Sequence, residues 1–385
     1  MSKIYEIDPD ADTLVVVRPL ADAFAPWPAH DHNGASPTSA SPAVPTADVR
    51  IKVSSKHLSL ASPRFRDILA QKAAASASSQ TSSPTRNGYK TPPASPGKTT
   101  PNNINSNSLW RKEVAPPSPP HSNYGGSSYS QTEEADGRIH IVLEGLDADA
   151  VTTVLNIVHG RGGKDRVPKT VSLEALARIA VVVDKLKLQD AVEIYADRWV
   201  DAVGHPSASN SRRELTLWIY IAYVFQRDAI FREATKIAAT QLTGPLPTLA
   251  NLPLRAKIAH DIDAQRQEAV SKALDVVEGA VDTLLANSED NNADALLLGT
   301  LLRTLHKHKA VWPRPAAPYA GVSIAGIASA AHDVQTKTWQ TAFRLGDSTR
   351  YNNTNNTLKL TPQLDSLKAS VAGLTLKSEL GYNLY

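Results

Sequence analysis

Several groups of residues in this chain have types and spacings that could do chemistry. Lys56-His57 is a basic pair set before apolar positions in VSSKHLSLASPRFRDIL, residues 53–69, and could mark a catalytic histidine. No serine or acid stands nearby as an obvious triad partner, so the expected role of His57 is structural. His306-x-His308 could be half a metal site, but ligands two apart on a helix point to different faces, and no further pattern completes the set. Gly160-Arg161-Gly162-Gly163-Lys164 lacks the phosphate-loop spacing and follows a helical pattern instead of a strand, which makes it a turn. Trp218, Tyr220, Tyr223 and Phe225 could line an aromatic box, yet at helical spacing Trp218 and Phe225 read as core. The chain is therefore expected to be no enzyme, with no catalytic residue, no cofactor site and no metal ligand.

The elements that must position these residues sit in a chain of 385 residues, long enough for two cores. Lysine and arginine number 41 against 38 aspartate and glutamate, and the signs are interspersed, so no electrostatic footprint for nucleic acid or membrane is expected. The absence of cysteine removes disulfides, thiolate nucleophiles and cysteine-containing zinc motifs, and fits a reducing compartment. The first dozen residues, MSKIYEIDPDAD, are acidic without an apolar centre, and no apolar run is long enough for a membrane helix. The expected location is cytoplasmic or nuclear.

Residues 13–17 (TLVVV) and 48–53 (DVRIKV) read as strands, the second with Val49, Ile51 and Val53 on one side. Pro26, Pro28, Pro37, Pro42 and Pro45 between them predict a long irregular connection. From 73 to 134 the chain turns to Ser, Thr, Pro and Asn, a composition that cannot bury enough apolar surface to offset its ordering entropy and predicts a disordered insertion. Ile139, Ile141 and Leu143 then alternate as a third strand.

Helical stripes follow: Val151, Val154, Leu155 and Val158, begun by Asp147 or Asp149; Leu173, Leu176, Ala180 and Val183 behind Ser172; and Val192, Tyr195, Trp199 and Val203. Before the insertion, Ser62 and Pro63 predict a helix start with Phe65, Ile68 and Leu69 on its inner face, after a short turn that carries Leu58 and Leu60 or Ala61 inward. Farther on, Leu215, Trp218, Ile221, Ala222 and Phe225 form one stripe, and Ile258, Ile262, Ala269, Ala273, Val277, Val281 and Leu284 predict a long bundle helix interrupted around Gln265. Leu297 or Leu298, Leu301 and Leu305 mark another, and a closing helix is expected with Thr361 as cap, Leu364, Leu367 and Val371 inward, and Gly373 as stop.

These residues carry a resemblance. Ser55, Lys56, His57, Leu58, Leu60, Ala61, Ser62, Pro63, Phe65, Arg66 and Leu69 are similar to the SKHLxLASPxFRxML element of BTB/POZ proteins common in filamentous fungi. Val158-His159-Gly160-Arg161 with Val167-Pro168, and Leu176 through Lys185, match two further elements in the same order, and the helices around residues 215–235 and 258–270 resemble that family's C-terminal region. The resemblance implies an α+β chain: a BTB/POZ fold over 12–203, interrupted by the insertion, then a helical region over 211–345 and a tail over 346–385. Where relatives tend to carry a His-x-Cys pair this chain reads STRYNNTNNTLKL, so no metal or redox role of that pair is implied.

The function implied is protein–protein interaction: a scaffold or adaptor that forms a homodimer through its first helices and an exposed strand. Two alternatives share the fold, a substrate adaptor of a cullin-type ubiquitin ligase and a nuclear regulator of transcription without direct DNA contact. Thr91, Ser95 and Thr100, each before proline, are candidate phosphorylation sites in the insertion, and Trp110 is a candidate anchor for a short binding motif.

Overall fold

Alternating Val49, Ile51 and Val53 build a strand that lies second in a four-stranded sheet, all three side chains turned into the core. The computed structural model describes residues 3–18, 23–26, 47–79, 137–163, 166–286, 292–308, 314–344 and 358–380. Its strands are β1 (Lys3–Glu6), β2 (Thr13–Arg18), β3 (Val49–Val53) and β4 (Ile139–Glu144). Their order is β1-β3-β2-β4, with β2 antiparallel to β3 and parallel to β4, so the sheet closes through a partner far along the chain. His140 and Val142 of β4 are buried together with Ile141 and Leu143; this strand is covered on both faces, where alternation alone predicts one.

β1 was not expected. It is four residues long, pairs parallel to β3 from Lys3 opposite Val49 to Glu6 opposite Lys52, and keeps most of its side chains exposed. A strand this short, at a sheet edge and without an apolar face, leaves no periodic signal. Ile7, just beyond it, is 2 % exposed and belongs to the core, so the acidic start of the chain contributes to the fold.

Helices α1 (Ser55–Ala61) and α2 (Pro63–Ser79) follow β3. Of the two alternatives for the second inward position of α1, Ala61 packs against the core: Leu60 points outward, 73 % exposed, while Leu58 is fully buried. One expectation is corrected here: α2 continues to Ser79, past the position where the insertion was drawn to begin, because AQKAAASASS is rich in the strongest helix former and contains neither glycine nor proline. The loop expected over the prolines lies largely outside the described residues, as does the rest of the insertion.

α3 (Ala148–Val158), α4 (Leu173–Leu186) and α5 (Gln189–Val203) carry the predicted stripes. Asp147, not Asp149, caps α3 by accepting from the Ala150 N–H at 2.9 Å, and Ser172 caps α4 through Ala175 at 3.2 Å. Trp199 is fully buried and donates its indole N–H to Pro168 O at 2.8 Å. α6 (Arg212–Val224) starts with a capping box between Ser211 and Glu214, and every residue from Leu215 to Val224 is buried, so its single predicted stripe is corrected to a helix enclosed all round. α7 (Asp228–Gln241) packs against it.

One cluster of buried side chains runs from the sheet through α7 to Ile258 and Ile262 of α8 (Ala256–Ala286). A second begins at Ala269 of the same helix and takes in α9 (Asn292–Lys307), α10 (Ile324–Arg344) and α11 (Leu360–Ser370). α8 therefore serves both cores, and Arg266, at the interrupted point of its stripe, sits between them fully buried. α10 was not expected: Ile324, Ile327 and Val334 face the core, but the inward positions among and beyond them are Ala328, Ala330, Ala331 and Thr338, which leaves only a thin apolar stripe. α11 begins before Thr361, with Lys359 as its cap in a left-handed conformation at φ 48°, which corrects the predicted start.

The last described segment returns to the first core. Leu374 and Leu376 are buried there, Leu374 N–H donates to Thr235 Oγ1 and Leu376 N–H to Asp228 Oδ1, both at 2.9 Å, and α12 (Leu376–Leu380) follows. Gly373 takes φ +75°, and a β-carbon there would lie 2.3 Å from Arg232 O.

Candidate functional site

The matched residues of the opening motif converge at the junction where β3 passes into α1. Ser54, the cap residue of α1, makes no side-chain capping bond. The cap comes instead from Asp12 ahead of β2: its carboxylate accepts the Ser55 N–H at 2.7 Å and the Ser55 hydroxyl at 2.5 Å, while Asp12 O accepts the Ile139 N–H at 3.0 Å. Partial burial works to raise the Asp12 carboxyl, but the bonds from Ser55 and Thr13 outweigh it and hold the group below the usual carboxylate range. One aspartate thus joins the start of β2 to the starts of α1 and β4.

Ser62 is the second fixed point. Its buried hydroxyl donates to Leu186 O at the end of α4 and accepts the Phe65 N–H at 3.0 Å, with Pro63 opening α2 and Phe65 fully buried below. Arg66 is exposed and reaches back to Ser59 O at 3.4 Å, near the C-terminal end of α1. Lys56 is exposed.

His159 is the C-terminal cap residue of α3 and stands beside His57, ring centroids 4.9 Å apart. Nδ1 meets Leu155 O at 2.8 Å, and Nε2 accepts the Ser54 N–H at 3.0 Å. A carbonyl on one nitrogen and a donor on the other define the neutral tautomer with the proton on Nδ1. Burial, with the adjacent His57, pushes the His159 imidazole below its ordinary value. Gly160 follows at φ +67°, a conformation that turns the chain so that Arg161 N–H reaches Asn156 O at 2.8 Å. Gly162 passes against Tyr195, whose hydroxyl lies 2.0 Å from where a β-carbon would be, so the glycine-rich run packs onto α5.

Asp8 completes the neighbourhood. Ile7 and Asp8 donate their N–H groups to Lys52 O at 3.1 and 3.3 Å, which brings the Asp8 carboxylate to the two imidazoles. One ligand atom each from Asp8, His57 and His159 lies within 4.8 Å of the others. Sequence reasoning missed this grouping because its members are widely separated along the chain and Asp8 belongs to the unrecognised β1 segment.

The remaining candidates separate. Trp218, Tyr220, Tyr223 and Phe225 are all buried, with Tyr220 hydrogen-bonded to Asp184 at 3.4 Å, and form core instead of a box. His306 and His308 are exposed at the end of α9. Thr91, Ser95, Thr100 and Trp110 lie outside the described residues.

The fold is a mixed α/β arrangement, a small four-stranded sheet with many helices, and no helix among the described residues is long and apolar enough to cross a membrane. No protein-family model, curated protein or solved structure matches the chain.

Proposed function

We propose that this chain is a BTB/POZ-type interaction module that pairs with a second copy of itself and acts as a non-enzymatic scaffold or adaptor. The resemblance supplies the fold name, and the order of elements supports it: an antiparallel strand pair, two helices, a parallel returning strand, then three amphipathic helices.

The observation that carries the reading is Leu60. It lies between Leu58 and Phe65, both fully buried, yet is 73 % exposed on α1, and Ile4 on edge strand β1 is 59 % exposed. A first helix and an edge strand that both present large aliphatic side chains fit a self-complementary face, which a twofold partner would cover.

Sedimentation velocity at micromolar concentration tests the proposal. The expected species is a dimer that Leu60→Asp converts to monomer with unchanged circular dichroism. A monomeric wild-type chain overturns it. Purification of the intact protein from its native cells distinguishes the partner classes: recovery of a cullin moves the reading to ligase adaptor, and recovery of chromatin regulators moves it to a transcriptional role.

A further inference from the structure

We propose that Asp8, His57 and His159 form a binding site for a divalent transition ion of the zinc class, which would fasten the segment after β1 to α1 and to the end of α3. The inference is independent of the interaction reading and stands or falls without it.

The donor set selects the ion. Two imidazoles and one carboxylate suit zinc and its neighbours, whereas magnesium and calcium take oxygen ligands throughout. The donor atoms lie within 4.8 Å of one another, and the exposed His57 side chain on the first turn of α1 has room to close on an ion. Tetrahedral ligands at bonds of about 2.0–2.1 Å stand roughly 3.4 Å apart, so the contraction needed is on the order of 1.5 Å.

A second feature points the same way. His159 Nδ1 is held against Leu155 O at 2.8 Å. Metal-binding histidines use this arrangement, in which a carbonyl fixes one ring nitrogen as donor and leaves the other as the basic one. The basic Nε2 of His159 now accepts the Ser54 N–H at 3.0 Å. The ion therefore enters by displacing that one backbone bond, which makes the site weaker than a preformed structural zinc centre and couples it to the start of α1.

The test is titration of the full chain with zinc chloride near neutral pH, followed by calorimetry and by thermal unfolding. One ion per chain and a raised unfolding temperature are expected for the wild type. His57→Ala and Asp8→Asn, each checked for an unchanged circular dichroism spectrum, are expected to weaken binding about tenfold or more. The double variant His306→Ala/His308→Ala is expected to bind as the wild type does. Cobalt substitution gives an independent readout: a visible absorption band of four-coordinate cobalt in the wild type and its loss in His57→Ala. A wild type that binds no zinc overturns the proposal, as does binding that persists unchanged in His57→Ala and Asp8→Asn or vanishes with His306 and His308.

Discussion

The carboxylate of Asp12 takes both the N–H and the hydroxyl of Ser55, and in doing so supplies the N-terminal cap of a helix it does not belong to. The cap residue proper, Ser54, contributes no side-chain bond of its own. Asp12→Ala is expected to cost about 1 kcal/mol in chemical denaturation, the scale of an ordinary cap, since the exposed carboxylate is screened by solvent. The folded carboxyl is held below its unfolded value, so its contribution is complete above about pH 4 and is lost as pH falls through the folded value. A variant series in which Asp12→Asn and wild type converge in stability at low pH would bear this out.

His159 adds a second loss of stability on acidification, although it is a base and not an acid. It is a base whose folded value is depressed, so above about pH 6.5 both folded and unfolded chains hold it neutral and it adds no pH dependence. Below that, the unfolded chain gains a proton that the folded chain refuses, because a proton on Nε2 would face the Ser54 N–H. Stability should decline from about pH 6.5 downward until the folded value is passed. Urea midpoints measured between about pH 8 and pH 5 should show this decline in the wild type and a shallower one in His159→Gln.

How far this junction could be read in advance depended on sequence distance. Ser62, Pro63 and Phe65 are neighbours in the chain, and their cap, first-turn and core roles followed from local rules. The carboxylates at the start of α1 did not follow from such rules: Asp12 reaches Ser55 across the sheet, and Asp8 comes to the histidines through the pairing of β1 with β3. The choice between Leu60 and Ala61 stayed open for a related reason, since about two turns of helix are too short for the periodicity to fix which of the two faces the core. The long stripe of α8 was legible, while the burial of the arginine that interrupts it was not, as one of its two partners, Pro318 O, lies 52 residues along the chain.

Arg266 should be expensive to remove. It is fully buried, its Nε donates to Asp263 at 2.8 Å and its Nη2 to Pro318 O at 2.6 Å, and its Nη1 has no partner among the described residues. Arg266→Ala is expected to destabilise by about 3 kcal/mol, and Arg266→Met by less, because the methionine fills the volume without an unsatisfied charge. Equilibrium denaturation of both variants measures the difference.

Gly373 stands where a side chain has no space. An alanine there would combine a positive φ with a β-carbon 2.3 Å from Arg232 O. Gly373→Ala is expected to cost at least about 1–2 kcal/mol and to release Leu374 and Leu376 from the first core. Hydrogen exchange should show the amides of Leu374 and Leu376 losing protection while those of α6 keep theirs.

The parallel pairing of β2 with β4 sets a condition on the birth of the protein. Arg18 and Glu144 face each other at the end of that ladder although 126 residues separate them. At ordinary translation speeds of about 5–20 residues per second, β2 leaves the ribosome roughly 6–25 s before its partner strand exists. During that interval β3 alone can cover it, and the apolar edge that β4 will occupy stays open to the cell. The nascent chain thus passes through a waiting period in which a chaperone has something definite to hold.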